Sequence, residues 1–106
     1  MPKYLYQATY TTEGTKGLLK EGGSVRRTAI QKAAEGLGGK VEVFYYAFGA
    51  PDVFVIANLP DQTAALAFSL AVNASGGAQV KTTPLIGPEE MDQATKKAVD
   101  YRGPGK

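Results

Sequence analysis

The spacing of apolar side chains in the first third of the chain predicts a strand followed by helical structure. Residues 3–11 read KYLYQATYT, and the alternation of Tyr4 and Tyr6 with their neighbours has the period of two that is typical of a strand. From Thr15 to Leu37 the spacing is helical, although glycines divide it into a short turn and a helix with Ser24 as its predicted N-cap. The predicted apolar arc of that helix contains Val25, Ala29, Ile30, Ala33 and Leu37.

The rest of the chain reads as three more strands and two more helices. Residues 40–48 (KVEVFYYAF) and 52–59 (DVFVIANL) are rich in β-branched and aromatic residues, and the short link between them favours a hairpin. A helix is predicted from its N-cap Asp61 to about Ser75, and a strand over 78–86. A third helix begins at Pro88, and its apolar positions have helical spacing: Met91, Ala94, Ala98 and Tyr101.

This order of elements predicts the fold class. A β-α-β-β-α-β chain with right-handed crossovers forms a ferredoxin-like α+β fold, with a four-stranded antiparallel sheet and helices on one face. We expect one domain over residues 1–101, including the C-terminal helix, and a flexible tail over 102–106, where Gly and Pro alternate.

The two faces of the predicted sheet differ in character. The face that the helices are expected to cover carries Tyr4, Tyr6, Ala8, Val41, Val43, Tyr45, Val53, Val55, Ala57, Val80 and Thr82. The opposite face carries Leu5, Gln7, Thr9, Glu42, Phe44, Tyr46, Phe48, Phe54, Ile56, Asn58 and Lys81. The second face is too apolar to remain in water, so we expect a homodimer that packs sheet to sheet, with higher oligomers left open.

The helix over 61–75 is apolar around nearly its whole circumference, which implies more than one covering surface. The third helix is the expected second cover.

Composition excludes several kinds of chemistry. The 106 residues include no Cys and no His, which removes thiol and Ser-His nucleophiles, disulfides and the usual zinc sites, so neither a metal nor a cofactor is expected. The formal net charge is +2, without a basic face, and residues 52–59 lack the signature of RNA-recognition strands, so no nucleic-acid partner is expected. No signal sequence or membrane span is apparent, and we expect a cytoplasmic protein.

Four stretches carry a family resemblance: TYTTEGTKGLL, GLGGKVEVFYYAFGAPDVFVIANLPD, AALAFSLAVNASGG and TTPLIGPEEMDQA. They resemble the GYD domain family, small bacterial proteins of the dimeric α/β barrel type. The namesake motif is Gly, a variable residue, then Tyr-Asp; Gly49 and Asp52 match it, whereas Pro51 replaces the Tyr. The resemblance implies a dimeric barrel but no activity, since related barrels include monooxygenases, isomerases, haem enzymes and ligand binders.

Polar residues on the aromatic face are the main site candidates. A dimer would enclose them in a mostly apolar cavity suited to a small molecule; alternatively they satisfy one another or water at the barrel rim. The candidate ligand-binding residues of this face are Gln7, Thr9, Glu42, Phe44, Tyr46, Phe54, Asn58 and Lys81.

Several of these and other positions have competing interpretations. An apolar setting would make Glu42 a general base, with Tyr46 as the other catalytic candidate, whereas Lys81 would make Glu42 part of an ion pair.

Arg26 falls within the helical arc and would hold a carboxylate or phosphate, or else extend to solvent at the helix end, while Arg27 points away. A turn alone explains Gly49 and Asp52.

The leading hypothesis is a small-molecule-binding protein whose pocket lies between the sheet and its partner or helices. A cofactor-independent enzyme acting in the same cavity, and a purely structural dimerisation module, are the alternatives.

Overall fold

The computed structural model describes residues 1–106. In chain order the elements are β1 (Lys3–Tyr10), α1 (Thr12–Glu21), α2 (Gly23–Gly36), β2 (Lys40–Tyr46), β3 (Val53–Asn58), α3 (Gln62–Ala74), β4 (Ala78–Leu85) and α4 (Pro88–Thr95). The four predicted strands are present, and the predicted order of elements is confirmed.

The four strands form one antiparallel sheet in the order β2-β3-β1-β4. β1 lies beside β3 in a register that places Leu5 opposite Ile56, and beside β4 in one that places Gln7 opposite Lys81. With α2 packed on β2 and α3 on β4, this is the predicted ferredoxin-like α+β arrangement.

The core lies between the sheet and the helices, and Tyr6 is its largest buried side chain. The Tyr6 ring packs 4.9 Å from that of Phe68, and its hydroxyl donates to the carbonyl oxygen of Ala65 on α3 at 2.9 Å. Because this donor is satisfied inside the core, the phenol links sheet and helix without an unpaired polar group. Burial, with the neighbouring Tyr4, raises the pKa of Tyr6 to about 12.

A β-bulge in β2 corrects the predicted assignment of side chains to sheet faces. Val41 pairs with Ala57 and Val43 with Ile56, so Glu42 is an extra residue without a partner. An extra residue reverses the alternation of every side chain after it. Phe44 and Tyr46 therefore lie on the helix side, and Val43 and Tyr45 on the other.

We call the face of the sheet that α1, α2 and α3 do not cover the open face. Its apolar centre crosses three strands, since Ile56 of β3 lies between Leu5 of β1 and Val43 of β2. Phe54 and Tyr45 pair directly beside this row. The open face thus keeps a continuous apolar centre, although its aromatic content is lower than predicted.

The segment predicted as a short turn is a ten-residue helix, α1. Thr11 caps it by accepting from the Gly14 N–H at 3.1 Å, a signal that the glycines obscured. Gly22, with φ 86°, separates it from α2. Ser24 consequently lies inside α2 and is not its N-cap. The buried face of α2 is also rotated from the predicted arc: Ala34 is fully buried, and Val25 is 51% exposed.

The helix α3 agrees with prediction in position, whereas α4 ends at Thr95, so Ala98 and Tyr101, predicted as helical positions, lie beyond it. The packing of both helices also differs from prediction. Asp61 caps α3 as expected, accepting from the Ala64 N–H at 2.8 Å. α4 has no buried residue, and Leu66 and Leu70 of α3 remain exposed, so the expected cover of α3 is missing. Only two residues join β4 to α4; they span about 7 Å at most, too short a link to cross back over the helix layer.

The Gly14→Ala variant is expected to destabilise the fold. A Cβ at this position would lie 1.8 Å from the carbonyl oxygen of Gly77, a backbone atom, so α1 would have to move away from the turn before β4. We expect a loss of about 1–3 kcal/mol in the free energy of unfolding, measured by urea denaturation.

Gly17→Ala is the matched control on the same helix. A Cβ there meets nothing within 4 Å, and Ala is the better helix former, so unfolding should become harder by about 0.5–1 kcal/mol. Equal stability of the two variants would contradict the proposed close approach of α1.

Candidate functional site

A cavity of about 540 Å³, partly open to solvent, lies on the helix side of the sheet and is lined by residues of α1, α2 and α3. This volume is within the range of about 300–1,000 Å³ that small-molecule pockets occupy. Most of its walls are apolar, and they include Tyr6, Ala8, Ile30, Phe44, Val53, Val55, Phe68, Val72 and Val80. The cavity is therefore suited to an organic molecule with a hydrocarbon or aromatic body.

One face of α1 forms a wall of the cavity. Glu13, Gly17 and Glu21 line it at intervals of four residues, the spacing that places side chains on one helix face. Gly17 contributes no side chain, and a Cβ there would meet nothing within 4 Å. Glycine weakens a helix, but its missing side chain at this position leaves volume free in the cavity.

Two of the three charged side chains of the cavity lie at the α1–α2 junction. The Arg26 guanidinium is 3.9 Å from the Glu21 carboxylate, which is an ion pair but too long for a hydrogen bond. The side chain of Arg26 is 35% exposed, that of Glu21 43%. Both residues line the cavity, whereas Glu13 lines it from the first turn of α1, at the opposite end of that helix. A polar end at Arg26 therefore adjoins the apolar body.

Tyr46 anchors the start of α2 beside this polar end. Its hydroxyl donates to the carbonyl oxygen of Gly23 at 3.0 Å, and its ring leaves no room for a larger residue at that position. Partial burial, together with the neighbouring Tyr10, raises the pKa of Tyr46 to about 12. At neutral pH this phenol is protonated and acts as a hydrogen-bond donor.

Glu42 lies away from the cavity, in a polar cluster on the open face. Its carboxylate pairs with the Lys3 ammonium and accepts from the side-chain amide nitrogen of Asn58 at 3.2 Å. Lys3 also donates to the side-chain amide oxygen of Asn58, Oδ1, at 3.1 Å. The bonds from Lys3 and Asn58 lower the pKa of Glu42. The ionic partner of Glu42 is therefore Lys3, where the sequence had suggested Lys81.

The remaining predicted residues form a second group on the open face. Gln7, Thr9 and Lys81 line a shallow depression together with Gln79 and Pro51. Phe54 lies opposite Gln7 in the sheet. The predicted ligand-binding residues are thus divided between two sides of the sheet: only Arg26 and Phe44 line the cavity.

Several cavity residues escaped the sequence analysis. Tyr10, Glu13, Gly17 and Glu21 all line the cavity, and the last three belong to a helix that was predicted as a turn. Their spacing of four residues was visible in the sequence and was the available signal.

The matching motif residue Asp52 ties the β2–β3 link to β1. Its carboxylate accepts from the Tyr10 N–H at 2.9 Å, and its own N–H donates to Ala8 at 2.9 Å. Its carbonyl oxygen also accepts from Ala47 at 2.7 Å. Only the bond from Ala47 is local; the carboxylate bonds a residue 42 positions away, so the side chain of Asp52 joins two strands and does not cap its own turn.

The structure contains neither a metal-binding cluster nor a membrane-spanning helix. No three residues with His, Cys, Asp or Glu side chains are grouped so that they would bind a metal ion. None of the four helices combines the length and apolar character that crossing a bilayer requires.

Taken together, the fold and cavity define a small ferredoxin-like α+β protein with a partly open cavity between its sheet and helices. The model of the GYD domain matches residues 4–95, so the chain belongs to the GYD domain family. No curated protein and no solved structure gives a match to the chain.

The Glu42 carboxyl is expected to titrate below its ordinary value of 4.5, since Lys3 and Asn58 stabilise the charged form. Carbon-detected NMR titration of its Cδ measures this directly. Lys3→Gln should move the pKa of Glu42 upward, whereas Lys81→Gln should leave it unchanged. A wild-type value above 4.5 would instead favour the general-base hypothesis.

The same pKa has a consequence for stability. A carboxyl with a lowered folded-state pKa stabilises the fold above its unfolded pKa, and that contribution disappears as the pH falls through the folded pKa. Wild type should therefore be slightly more stable than Glu42→Gln at neutral pH, with the difference shrinking below pH 4.5.

Proposed function

We propose that this protein binds a small organic molecule in the cavity between its sheet and helices α1–α3. The observation that supports this most strongly is the cavity of about 540 Å³, with mostly apolar walls and the Glu21–Arg26 pair at one end. A concave, mostly apolar space of this size with a few polar groups is typical of small-molecule sites.

Binding fits the arrangement better than catalysis does. Glu42, the candidate base, is engaged by Lys3 and Asn58 on the far side of the sheet. Tyr46, the other candidate, has a pKa of about 12 and donates to Gly23. The alternative of a cofactor-independent enzyme in this cavity would require a proton-transfer group other than these two.

We also propose that two copies pair through their open faces. The row of Leu5, Ile56 and Val43 is continuous across three strands, and α4 buries none of its residues against the rest of the chain. Twofold pairing would cover this row, because the same patch then meets itself. The cavity lies on the other side of the sheet, so binding and dimerisation use separate surfaces.

Filling the cavity is expected to abolish most binding of an apolar probe. In Gly17→Leu a side chain would enter the open space that this position faces, and affinity for N-phenyl-1-naphthylamine, measured by fluorescence titration, should fall about tenfold or more.

The matched control is Gly36→Leu, which adds the same side chain at a helical glycine that also meets nothing within 4 Å but lies outside the cavity. It should bind the probe as wild type does. Absence of probe binding in wild type, or equal loss in both variants, would argue against the cavity and favour a purely structural module.

Native mass spectrometry tests the pairing. Wild type should give twice the chain mass of 11.2 kDa, and Ile56→Lys should give the monomer, because a charge would enter the middle of the apolar interface. Leu19→Lys is the control, as Leu19 is 83% exposed on α1. A wild-type monomer would refute the dimer and leave the cavity hypothesis standing.

A further inference from the structure

The proposed binding function leaves open which chemical group a ligand presents to the charged end of the cavity. Glu21 and Arg26 lie there, and Glu13 lines the cavity from the other end of α1. By charge alone the two carboxylates would favour a cation. Hydrogen bonding and burial lead to a different conclusion.

Arg26 is the least satisfied of these groups. Its side chain is about two-thirds buried, with 35% exposed, and its guanidinium makes no hydrogen bond to the protein; the nearest carboxylate oxygen lies at 3.9 Å. A guanidinium has five N–H donors; those of Arg26 have no acceptor in the protein, and none of its nitrogens is both buried and unpaired, so water is their partner. The end of the cavity therefore presents donors that an acceptor on a ligand can engage in place of water.

The two carboxylates are in a different situation. Both Glu13 and Glu21 are exposed residues, so water donates hydrogen bonds to their carboxylate oxygens. The contact of Glu21 with Arg26 is a partly exposed pair of the kind that contributes little to stability. An acceptor on a ligand would therefore replace weak interactions of Arg26 with short, charge-assisted ones.

We propose that the cavity selects an apolar monocarboxylic acid, whose carboxylate binds the Arg26 guanidinium and whose hydrocarbon or aromatic body contacts Phe44, Phe68 and the β1–β3 wall. The planar guanidinium matches a carboxylate with two parallel hydrogen bonds. Apolar walls beyond it match a body without further charge.

Arg26 is held in place for this role. It lies in the first turn of α2, and that turn is fixed by the bond from the Tyr46 hydroxyl to the Gly23 carbonyl oxygen. The next residue, Arg27, is exposed and does not line the cavity. Arg26 and Arg27 are adjacent and chemically identical, but only Arg26 lines the cavity. Arg27 therefore provides the matched control.

Three probes of one shape test the proposal by isothermal titration calorimetry at neutral pH: 4-phenylbutyrate, 4-phenylbutan-1-ol and 4-phenylbutylamine. Wild type should bind the carboxylate about tenfold more tightly than the alcohol, as expected for hydrogen bonds to a charged group. Arg26→Gln should remove this preference and leave binding of the alcohol unchanged. Arg26→Lys should keep part of it, since the charge remains but the paired donors do not.

Arg27→Gln should behave as wild type toward all three probes, and equal effects of the two Gln variants would overturn the role of Arg26. Equal affinity of wild type for carboxylate and alcohol, or tightest binding of the amine, would overturn the monocarboxylate preference while leaving the cavity as a binding site. Failure of all three probes together with N-phenyl-1-naphthylamine would overturn the proposed function itself. Circular dichroism of each variant verifies that the fold is retained.

Discussion

The β-bulge at Glu42 determines which side of the sheet each later residue of β2 faces. Without it, Phe44 and Tyr46 would point to the open face, as strict alternation requires. With it, Phe44 becomes a wall of the cavity, and the Tyr46 hydroxyl reaches Gly23 at the start of α2. The bulged residue itself is held by Lys3 and Asn58. One inserted residue therefore builds the cavity wall and positions the helix that carries Arg26.

The sheet and α1 make unequal contributions to the molecule. Tyr6, Val55 and Ala57 of the two inner strands are buried in the core, and such side chains supply most of the hydrophobic stabilisation. α1 buries no residue; its start is tied to the turn before β4 by the bonds from Thr11 to the carbonyl oxygens of Gly76 and Gly77 and by the close approach of Gly14 to Gly77. The cavity thus lies between a strongly stabilised layer and a weakly stabilised one.

Much of the fold could be predicted because period, caps and glycines are local signals. The four strands, the Asp61 cap and the ferredoxin-like order followed from them. The bulge could not be predicted, because an extra residue is recognised only from its pairing with the neighbouring strand. Strict alternation assigns Val43 to the helix side of the sheet, whereas its pairing with Ile56 places it on the open face. For the site, Arg26 was accessible from helical spacing, whereas Glu13 and Glu21 were hidden by glycines that lower helix propensity and so suggested a turn.

Those same glycines give α1 its place in the site. Gly14 is required by the backbone of Gly77, but Gly17 has no close neighbour, so its lack of a side chain serves neither packing nor a strained conformation. A residue that weakens its helix and contacts nothing is best explained by the space it leaves. Because α1 contributes no buried residue, side chains can vary at this position without disturbing the core. Part of the shape of the cavity is thereby set by a helix that adds no buried residue to the core.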